Sequence, residues 1–399
     1  MGGPAQVLAW RALCATAALM APTALLAPLA IAPLFIIAVL CALPALRTTV
    51  GRETRLPWIS VPLVVGIAWM IASTSWSIDP ARSATSSLPI LLSSIGGICL
   101  VLVSRGFSPQ EQATIEDALT AGMILALLLL SAEAASRALG FATSPHAWLM
   151  SSLGKGYNES KLNRGATVVV LLAWTCAAAV ARRRGFARAA LIVLWSGAVL
   201  PELQSQAAIL AWCFGGMAAL TSALAPRFTR MAMIVGIATM FAAMPLIPNS
   251  APFRNHFAND AQLGSVWHRA EIWSFVSRQI AERPVLGWGL DSSRAMPGGS
   301  EKIRGNDEWL PLHPHNGILQ LWLELGAIGG AIGASIAARA AWRASDPGED
   351  LASRFAMTGT LAAALAVFCT AYGTWQGWWM ATLWLATLFA SGVGATRRR

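Results

Sequence analysis

The chain has 399 residues, of which 56% are hydrophobic and only 12% are charged. This apolar fraction exceeds what a soluble domain of that length uses for its core, so the composition excludes a soluble protein and indicates an integral membrane protein. The net charge of +10 does not indicate nucleic-acid binding, because most arginines lie in short connections between apolar runs, where they set membrane topology. The six cysteines lie within apolar runs at unrelated spacings, which predicts buried thiols and neither disulfides nor a metal site.

The apolar runs predict an all-α polytopic membrane protein with about twelve transmembrane helices. Roughly 20 apolar residues cross about 30 Å of hydrocarbon as a helix, and the alternation typical of a membrane strand is absent. We expect nine spans in residues 1–247, a long loop with amphipathic helices in residues 248–312, and three spans in residues 313–399. The first span lacks a clear cleavage site and is expected to remain uncleaved. The spans with the clearest limits lie near residues 7–25, 29–46, 57–76, 112–138 and 165–181.

Basic connections predict which side of the membrane each loop faces. Arginines recur after the second, fourth, sixth and eighth spans, and short basic loops of membrane proteins face the cytoplasm. The alternation then puts two longer connections, residues 139–164 and residues 248–312, on the outer side, which in a bacterium is the periplasm. Both exceed the usual length of a connection and are therefore candidates for function.

The first of these connections ends in basic residues. Lys155, Lys161 and Arg164 precede the sixth span, and a cation at the membrane boundary suits an anionic lipid head group. Interfacial anchoring is the alternative role of the lysines. Asp79 and Arg82, in the first charged outer loop, are weaker candidates for the same substrate site.

The second connection contains a predicted amphipathic helix that begins near Ser265. Its apolar residues recur at helical spacing, which favours a helix lying at the membrane surface. Arg269 lies in its first part, and a guanidinium group can bind two phosphate oxygens at once. We therefore expect Arg269 to bind phosphate or pyrophosphate, whereas the other charges of this helix are equally well explained as a solvated face.

Two histidines and an asparagine, His313, His315 and Asn316, precede the tenth span. Pro314 between the histidines predicts that their rings point to different sides, and no third ligand follows at a spacing typical of a metal site. A neutral imidazole can take a proton from an attacking hydroxyl, so His315 is the candidate base, with a helix cap as the alternative. His313 and Asn316 are candidates for substrate binding.

Glu324 lies in the same apolar run as His315. The separation of nine residues is out of phase on a helix with 3.6 residues per turn. We therefore expect Glu324 to bind a neighbouring helix and not the His315 ring.

Cations combined with one base fit group transfer from a pyrophosphate donor. In such a reaction the pyrophosphate is the leaving group and needs charge neutralisation, while the acceptor hydroxyl needs deprotonation. A transporter or flippase for anionic lipids is the alternative from another class. It would place ionisable residues at mid-membrane depth, where the chain offers few candidates, namely Glu133, Glu202 and Glu324.

Two motifs resemble a known family. HNGILQLWLELGAIGG, residues 315–330, resembles the HNxxLxxxxExGxxG signature of the bacterial O-antigen ligase and polymerase superfamily. HRAEIWSFVSRQIAERPVLGWGL, residues 268–290, resembles that family's helix with arginine and then tryptophan, ending in P-x-x-G-x-G. The resemblance implies a GT-C type glycosyltransferase of the bacterial inner membrane, which transfers glycans from undecaprenyl pyrophosphate at the periplasmic face without a metal or other cofactor.

The resemblance also implies roles by position. His315 matches the essential histidine, Arg269 the essential arginine, and Asn316 the motif neighbour of the histidine. Glu324 and Gly326 match the structural part of the signature.

Two further positions bear on the branch of the superfamily. LNRG with Arg164 is similar to a basic element of the ligase branch, and Ser205 and Gln206 stand where many polymerases have Ser-Arg. Both features favour the ligase that joins O-antigen to lipid A-core. An O-antigen polymerase and a protein O-oligosaccharyltransferase are the alternatives within the superfamily.

Overall fold

The computed structural model of the protein describes residues 3–50, 60–140, 143–152, 159–203, 205–258 and 264–393. These residues are almost entirely helical, which confirms the predicted all-α class. Their helices are α1 (Pro4–Leu26), α2 (Ile31–Val50), α3 (Ser60–Ser73), α4 (Pro80–Ser104), α5 (Pro109–Ala138), α6 (Pro145–Ser152), α7 (Glu159–Arg184), α8 (Phe186–Ala198), α9 (Gln206–Leu224), α10 (Pro226–Ala243), α11 (Ala251–Phe253), α12 (Ser265–Glu282), α13 (Gly317–Ala344), α14 (Leu351–Phe368) and α15 (Gly377–Gly392).

Nine helices of the described ranges are long and apolar enough to cross a membrane, namely α1, α2, α4, α5, α7, α8, α9, α13 and α14. The protein is therefore a multi-pass membrane protein. Helices α3, α10 and α15 lie where the third, ninth and twelfth spans were predicted, and α3 is a shorter apolar helix.

Helix α7 forms the centre of the bundle. In its membrane-crossing part 89% of the residues are buried, whereas no other candidate span of the described chain exceeds 50%. It packs against α1, α5, α8, α9 and α14. Small residues permit this close packing, since a Cβ on Gly215 or Gly359 would lie 2.5 Å or 2.7 Å from the ring of Trp174.

Helix α13 is broken in its middle at Gly326, which has a left-handed φ of 65°. The break frees backbone carbonyls of the preceding turn, and free carbonyls are costly inside a membrane. The N–H groups of Trp288 and Gly289 donate to the carbonyls of Leu323 (2.9 Å) and Glu324 (2.8 Å). The segment after α12 thus completes the hydrogen bonding of the broken helix.

The glycines at this break are required by close backbone contact. A Cβ on Gly326 would lie 2.1 Å from the carbonyl oxygen of Val285, and a Cβ on Gly287 would lie 2.6 Å from the carbonyl oxygen of Glu324. The two glycine motifs quoted for the family resemblance, PVLGWG and LELG, therefore form one joint between chain segments.

The connection between α10 and α13 contains α12 and a small sheet. The predicted helix near Ser265 is confirmed as α12, which buries Ile272, Val276 and Ile280 and packs on α13. Two short antiparallel strands, β1 (Lys302–Arg304) and β2 (Asp307–Glu308), were not predicted, because they are only three and two residues long.

Candidate active site

Asn316 begins α13 as its N-cap residue. Its side-chain oxygen accepts hydrogen bonds from the N–H groups of Ile318 (3.0 Å) and Leu319 (3.1 Å), which have no partner within the helix. The side-chain nitrogen is buried and has no hydrogen-bond partner among the described residues. The oxygen of this predicted substrate-binding residue is therefore committed to the helix, and only its amide N–H groups are available to a ligand.

The two histidine rings lie together, with ring centroids 4.4 Å apart. The prediction that they point to different sides is wrong. His315 has a left-handed backbone, with φ of 55°, and this turns its ring back towards His313. The N–H of His315 donates to Nδ1 of His313 at 3.2 Å.

The tautomer of His315 follows from its hydrogen bond. Nδ1 lies 2.7 Å from the carbonyl oxygen of Ala371, and because a carbonyl only accepts, Nδ1 carries the proton. Nε2 therefore holds the lone pair. Burial lowers the pKa of His315, and the positive charge of Arg269 lowers it further. The hydrogen bond to Ala371 raises the pKa but does not outweigh these effects. The ring is neutral near pH 7 and can accept a proton at Nε2.

His313 is also neutral. It is buried, and burial together with the positive charge of the nearby arginines lowers its pKa to about 3. Its Nε2 lies 3.1 Å from Nε2 of Gln376. His313 therefore supports the backbone of His315 without adding charge.

Three arginines surround the histidines closely enough to depress the pKa of His313: Arg164, Arg269 and Arg294. Arg269 donates from Nη1 to the carbonyl of Thr370 at 2.8 Å, and the guanidinium of Arg164 lies 5.7 Å from the ring centroid of Trp378. None of the three forms an ion pair with a carboxylate in the described part of the chain. Their charges are therefore available to an anionic ligand.

The loop between α14 and α15, which we call the α14–α15 loop (residues 369–376), supplies both carbonyls that hold His315 and Arg269. Gln320 accepts from the N–H of Thr374 at 2.8 Å, and Glu324 accepts from the indole N–H of Trp375 at 2.5 Å. Helix α13 thus holds the α14–α15 loop in place. That loop in turn orients the ring of His315, which precedes α13.

Glu324 is fully buried and accepts four hydrogen bonds. Besides Trp375, its donors are the side chain of Gln320 (3.0 Å), the N–H of Asp291 (2.8 Å) and the hydroxyl of Ser293 (2.5 Å). It was expected to bind a neighbouring helix. It binds connecting segments, because the break at Gly326 brings the chain after α12 against α13.

The weaker candidates are committed to other contacts. Asp79 caps α4 by accepting from the N–H of Arg82 at 3.0 Å, and Arg82 pairs through Nε with Asp291 at 2.9 Å. Lys161 lies in the first turn of α7 ahead of Arg164. Lys155 lies outside the residues that the structure describes.

Several site groups were missed from the sequence. The carbonyls of Thr370 and Ala371 could not be found, because every residue carries such a group. Arg294 offered a signal as a cation in the long connection, and Tyr372 as a lone tyrosine in an apolar hairpin. The Tyr372 hydroxyl lies 3.2 Å from that of Thr167, and burial raises its pKa to about 12. Tyr372 is therefore a neutral part of the wall.

The family model described as O-Antigen ligase matches residues 189–333. The match includes Arg269, His313, His315 and Glu324. Arg164 and the α14–α15 loop lie outside it. The two glycine motifs that meet at the break of α13 lie wholly within residues 189–333.

Three relatives from Rickettsia, each named "Putative polysaccharide ligase", are similar to this chain. The R. conorii protein is 30% identical over 271 residues, which make up 66% of this chain and 62% of the relative. The R. bellii protein is 28% identical over 270 residues, with shares of 65% and 62%, and the R. felis protein is 27% identical over 270 residues, with shares of 66% and 63%. The chain thus spans less than two thirds of the length of these relatives. The family match and these relatives support an assignment of the chain to the O-antigen ligase superfamily.

Proposed function

We propose that the protein is an O-antigen ligase, a GT-C type glycosyltransferase that moves O-antigen polysaccharide from undecaprenyl pyrophosphate to lipid A-core. The observation that carries the proposal is the His315 ring, fixed through Nδ1 and unprotonated at Nε2, beside arginines that have no carboxylate partner among the described residues. A base and uncompensated cations are what transfer from a pyrophosphate donor requires.

In the proposed reaction Nε2 of His315 takes the proton of a sugar hydroxyl on lipid A-core. The hydroxyl oxygen bonds to the anomeric carbon of the donor glycan while the bond from that carbon to the pyrophosphate oxygen breaks. Attack from the opposite face inverts the anomeric configuration. Arg269 and Arg164 bind the pyrophosphate and neutralise the charge that develops on it as undecaprenyl pyrophosphate leaves. We propose that these arginines supply the positive charge without a metal.

We further propose that the site faces the periplasm across the bacterial inner membrane. Arg182, Arg183 and Arg184 lie at the other end of α7 from Arg164, and the positive-inside rule assigns that arginine-rich end to the cytoplasm. The donor and acceptor lipids would then reach the site from the outer leaflet.

Ligation in proteoliposomes, with donor and acceptor labelled separately, tests the proposal. His315→Ala is expected to lower the rate at least about hundredfold, because it removes the general base. His256→Ala is the matched control, since His256 is exposed and its ring packs against Phe257. A His315→Ala protein that ligates at the parent rate would refute the base assignment.

Two additions to the assay test whether the reaction needs a metal and whether the enzyme is a ligase or a polymerase. Activity should persist in excess chelator, and loss that a divalent ion restores would contradict the metal-free proposal. Donor incubated without acceptor should keep its glycan length, whereas lengthening of the donor glycan would identify a polymerase.

A further inference from the structure

An apolar groove lies far from the candidate active site, between α5, α7 and α8. It encloses about 530 Å³. Ile124 of α5 forms one side, and Leu191 and Leu194 of α8 form the other. Leu191 and Leu194 are 63% and 61% exposed, so the groove opens towards the surrounding lipid. Trp195 also lines the groove and donates to the hydroxyl of Ser131 at 2.7 Å.

The opposite end of the groove is cationic. Arg184 and Arg188 line it there. Glu116 and Asp117 of α5 pair with Arg182, Arg183 and Arg184.

Arg188 differs from these arginines because it has no ion pair within the described residues. Four arginines therefore face Glu116, Asp117 and Asp350, which lies close enough to Arg182 for that arginine to lower its pKa, and one positive charge is left in excess. Gly185, the residue before α8, provides no side-chain cap, so the first N–H groups of α8 add to the positive potential.

The groove is separate from the histidine cluster. Arg164 and Arg184 lie on the same helix, 20 residues apart, which corresponds to about 30 Å along the helix axis. This is the thickness of a hydrocarbon core. The two sites therefore lie at opposite ends of α7.

We propose that this groove binds an anionic diacyl phospholipid. Its phosphate would lie between Arg188 and Arg184, and one acyl chain would run along Leu191, Leu194 and Ile124 to Trp195. The match is one of shape and charge, because the groove is apolar along its length and cationic only at its end. A free phosphate would leave the apolar walls unused, and a zwitterionic lipid would gain little from the excess positive charge.

Native mass spectrometry of the purified protein tests this proposal with phosphatidylglycerol and phosphatidylcholine of equal chain length. We expect phosphatidylglycerol to bind more tightly, and Arg188→Gln to weaken its binding about fivefold, as for one basic residue near an anionic lipid. Arg227→Gln is the matched control, because Arg227 is an exposed arginine at the start of α10 and does not line the groove. It should bind phosphatidylglycerol as the parent does.

A second variant, Ile124→Trp, fills the groove and should lower the binding of both lipids. Equal binding of the two lipids, or equal effects of Arg188→Gln and Arg227→Gln, would overturn the proposal. Because Arg188 is exposed and has no ion pair among the residues that the structure describes, its loss should leave folding intact. The Arg188→Gln result therefore tests the proposal even if Ile124→Trp fails to fold. None of these measurements depends on ligation.

Discussion

The two ends of α7 hold their arginines in opposite ways. At the arginine end, Arg182, Arg183 and Arg184 all lie within ion-pair distance of Glu116 or Asp117. At the histidine end, where His313 and His315 lie, Arg164 rests against an aromatic ring with no carboxylate partner among the described residues. Both ends are rich in positive charge, so charge alone does not distinguish them. The two ends differ in whether described carboxylates pair with the arginines.

A partly buried cation without an anion costs free energy, and a bound anion recovers that cost. The paired arginines hold helices together, whereas the unpaired ones keep their donors for a ligand. Perturbed, unpaired charges are typical of functional sites. We therefore expect the pairing of an arginine to be a better guide to its role in this protein than its position in a basic loop.

The largest difference between the two ends is expected in the ligation rate when an arginine at each end is substituted. Arg269→Ala is expected to lower the ligation rate at least about hundredfold, because it removes charge stabilisation of the leaving group. Arg183→Ala loses only contacts to Ala113 and Asp117 and should change the rate less than about threefold. Initial rates in proteoliposomes measure both. Equal losses would remove the distinction between paired and unpaired arginines.

Arg269→Lys sharpens this first test. A lysine keeps the charge but not the planar pair of donors, so it should recover only a small part of the activity. Full recovery would show that Arg269 acts as a point charge.

The joint at Gly326 is held by backbone contacts, whereas the arginine end of α7 is held by side-chain ion pairs. Gly326→Ala should lower the free energy of unfolding by about 3 kcal/mol, because the residue is left-handed and its Cβ would meet the Val285 carbonyl at 2.1 Å. Gly236→Ala in α10 meets nothing within 4 Å and should raise stability by up to about 1 kcal/mol. Thermal unfolding in detergent compares the two. A small loss for Gly326→Ala would show that the joint is adaptable.

Acidification should lower the free energy of unfolding through His313 at the histidine end. The pKa of His313 is about 3 in the folded protein, against about 6.5 for an unfolded histidine. Between these values the unfolded chain binds a proton that the folded protein does not. Stability from this group is therefore complete above about pH 6.5 and falls as the pH decreases, by at most about 1.4 kcal/mol per pH unit.

His313→Gln should reduce the slope of unfolding free energy against pH, and His256→Gln should leave it unchanged. Some slope will remain in the first variant, because burial also lowers the pKa of His315. A slope that His313→Gln does not alter would assign the acid sensitivity to other groups.

The smallest effect is expected at the arginine end. The side chain of Asp117 is 42% exposed and pairs with Arg183 at 2.7 Å and Arg184 at 3.1 Å. Asp117→Asn should lower the free energy of unfolding by less than about 1 kcal/mol, as is usual for exposed ion pairs. The ligation rate should not change. A loss of several kcal/mol would mean that these pairs are shielded from solvent.

The helical architecture could be predicted from the sequence, because crossing a membrane demands long apolar runs that are visible in any single chain. The break at Gly326 could not, since one glycine in an apolar run rarely unwinds a helix. Its cause lies in the chain around Val285, far away in sequence. The family resemblance marked both segments but not their contact.

The candidate site was predicted in part. Arg269 and His315 stood out because a guanidinium and an imidazole offer chemistry that apolar neighbours do not. Their partners, Thr370 and Ala371, act through carbonyls that carry no sequence signal. The closeness of His313 was missed, because the left-handed backbone of His315 has no signature in the residue type.

The carbonyl that orients His315 belongs to a hairpin that is synthesised after the histidine, since Ala371 follows it by 56 residues. A nascent chain that has threaded α13 into the bilayer already carries the whole histidine motif, yet its ring has nothing to align it. Alignment comes only when the hairpin of α14 and α15 has inserted and its loop has met Gln320 and Glu324. A chain that has inserted α13 but not this hairpin would therefore lack an oriented His315 ring.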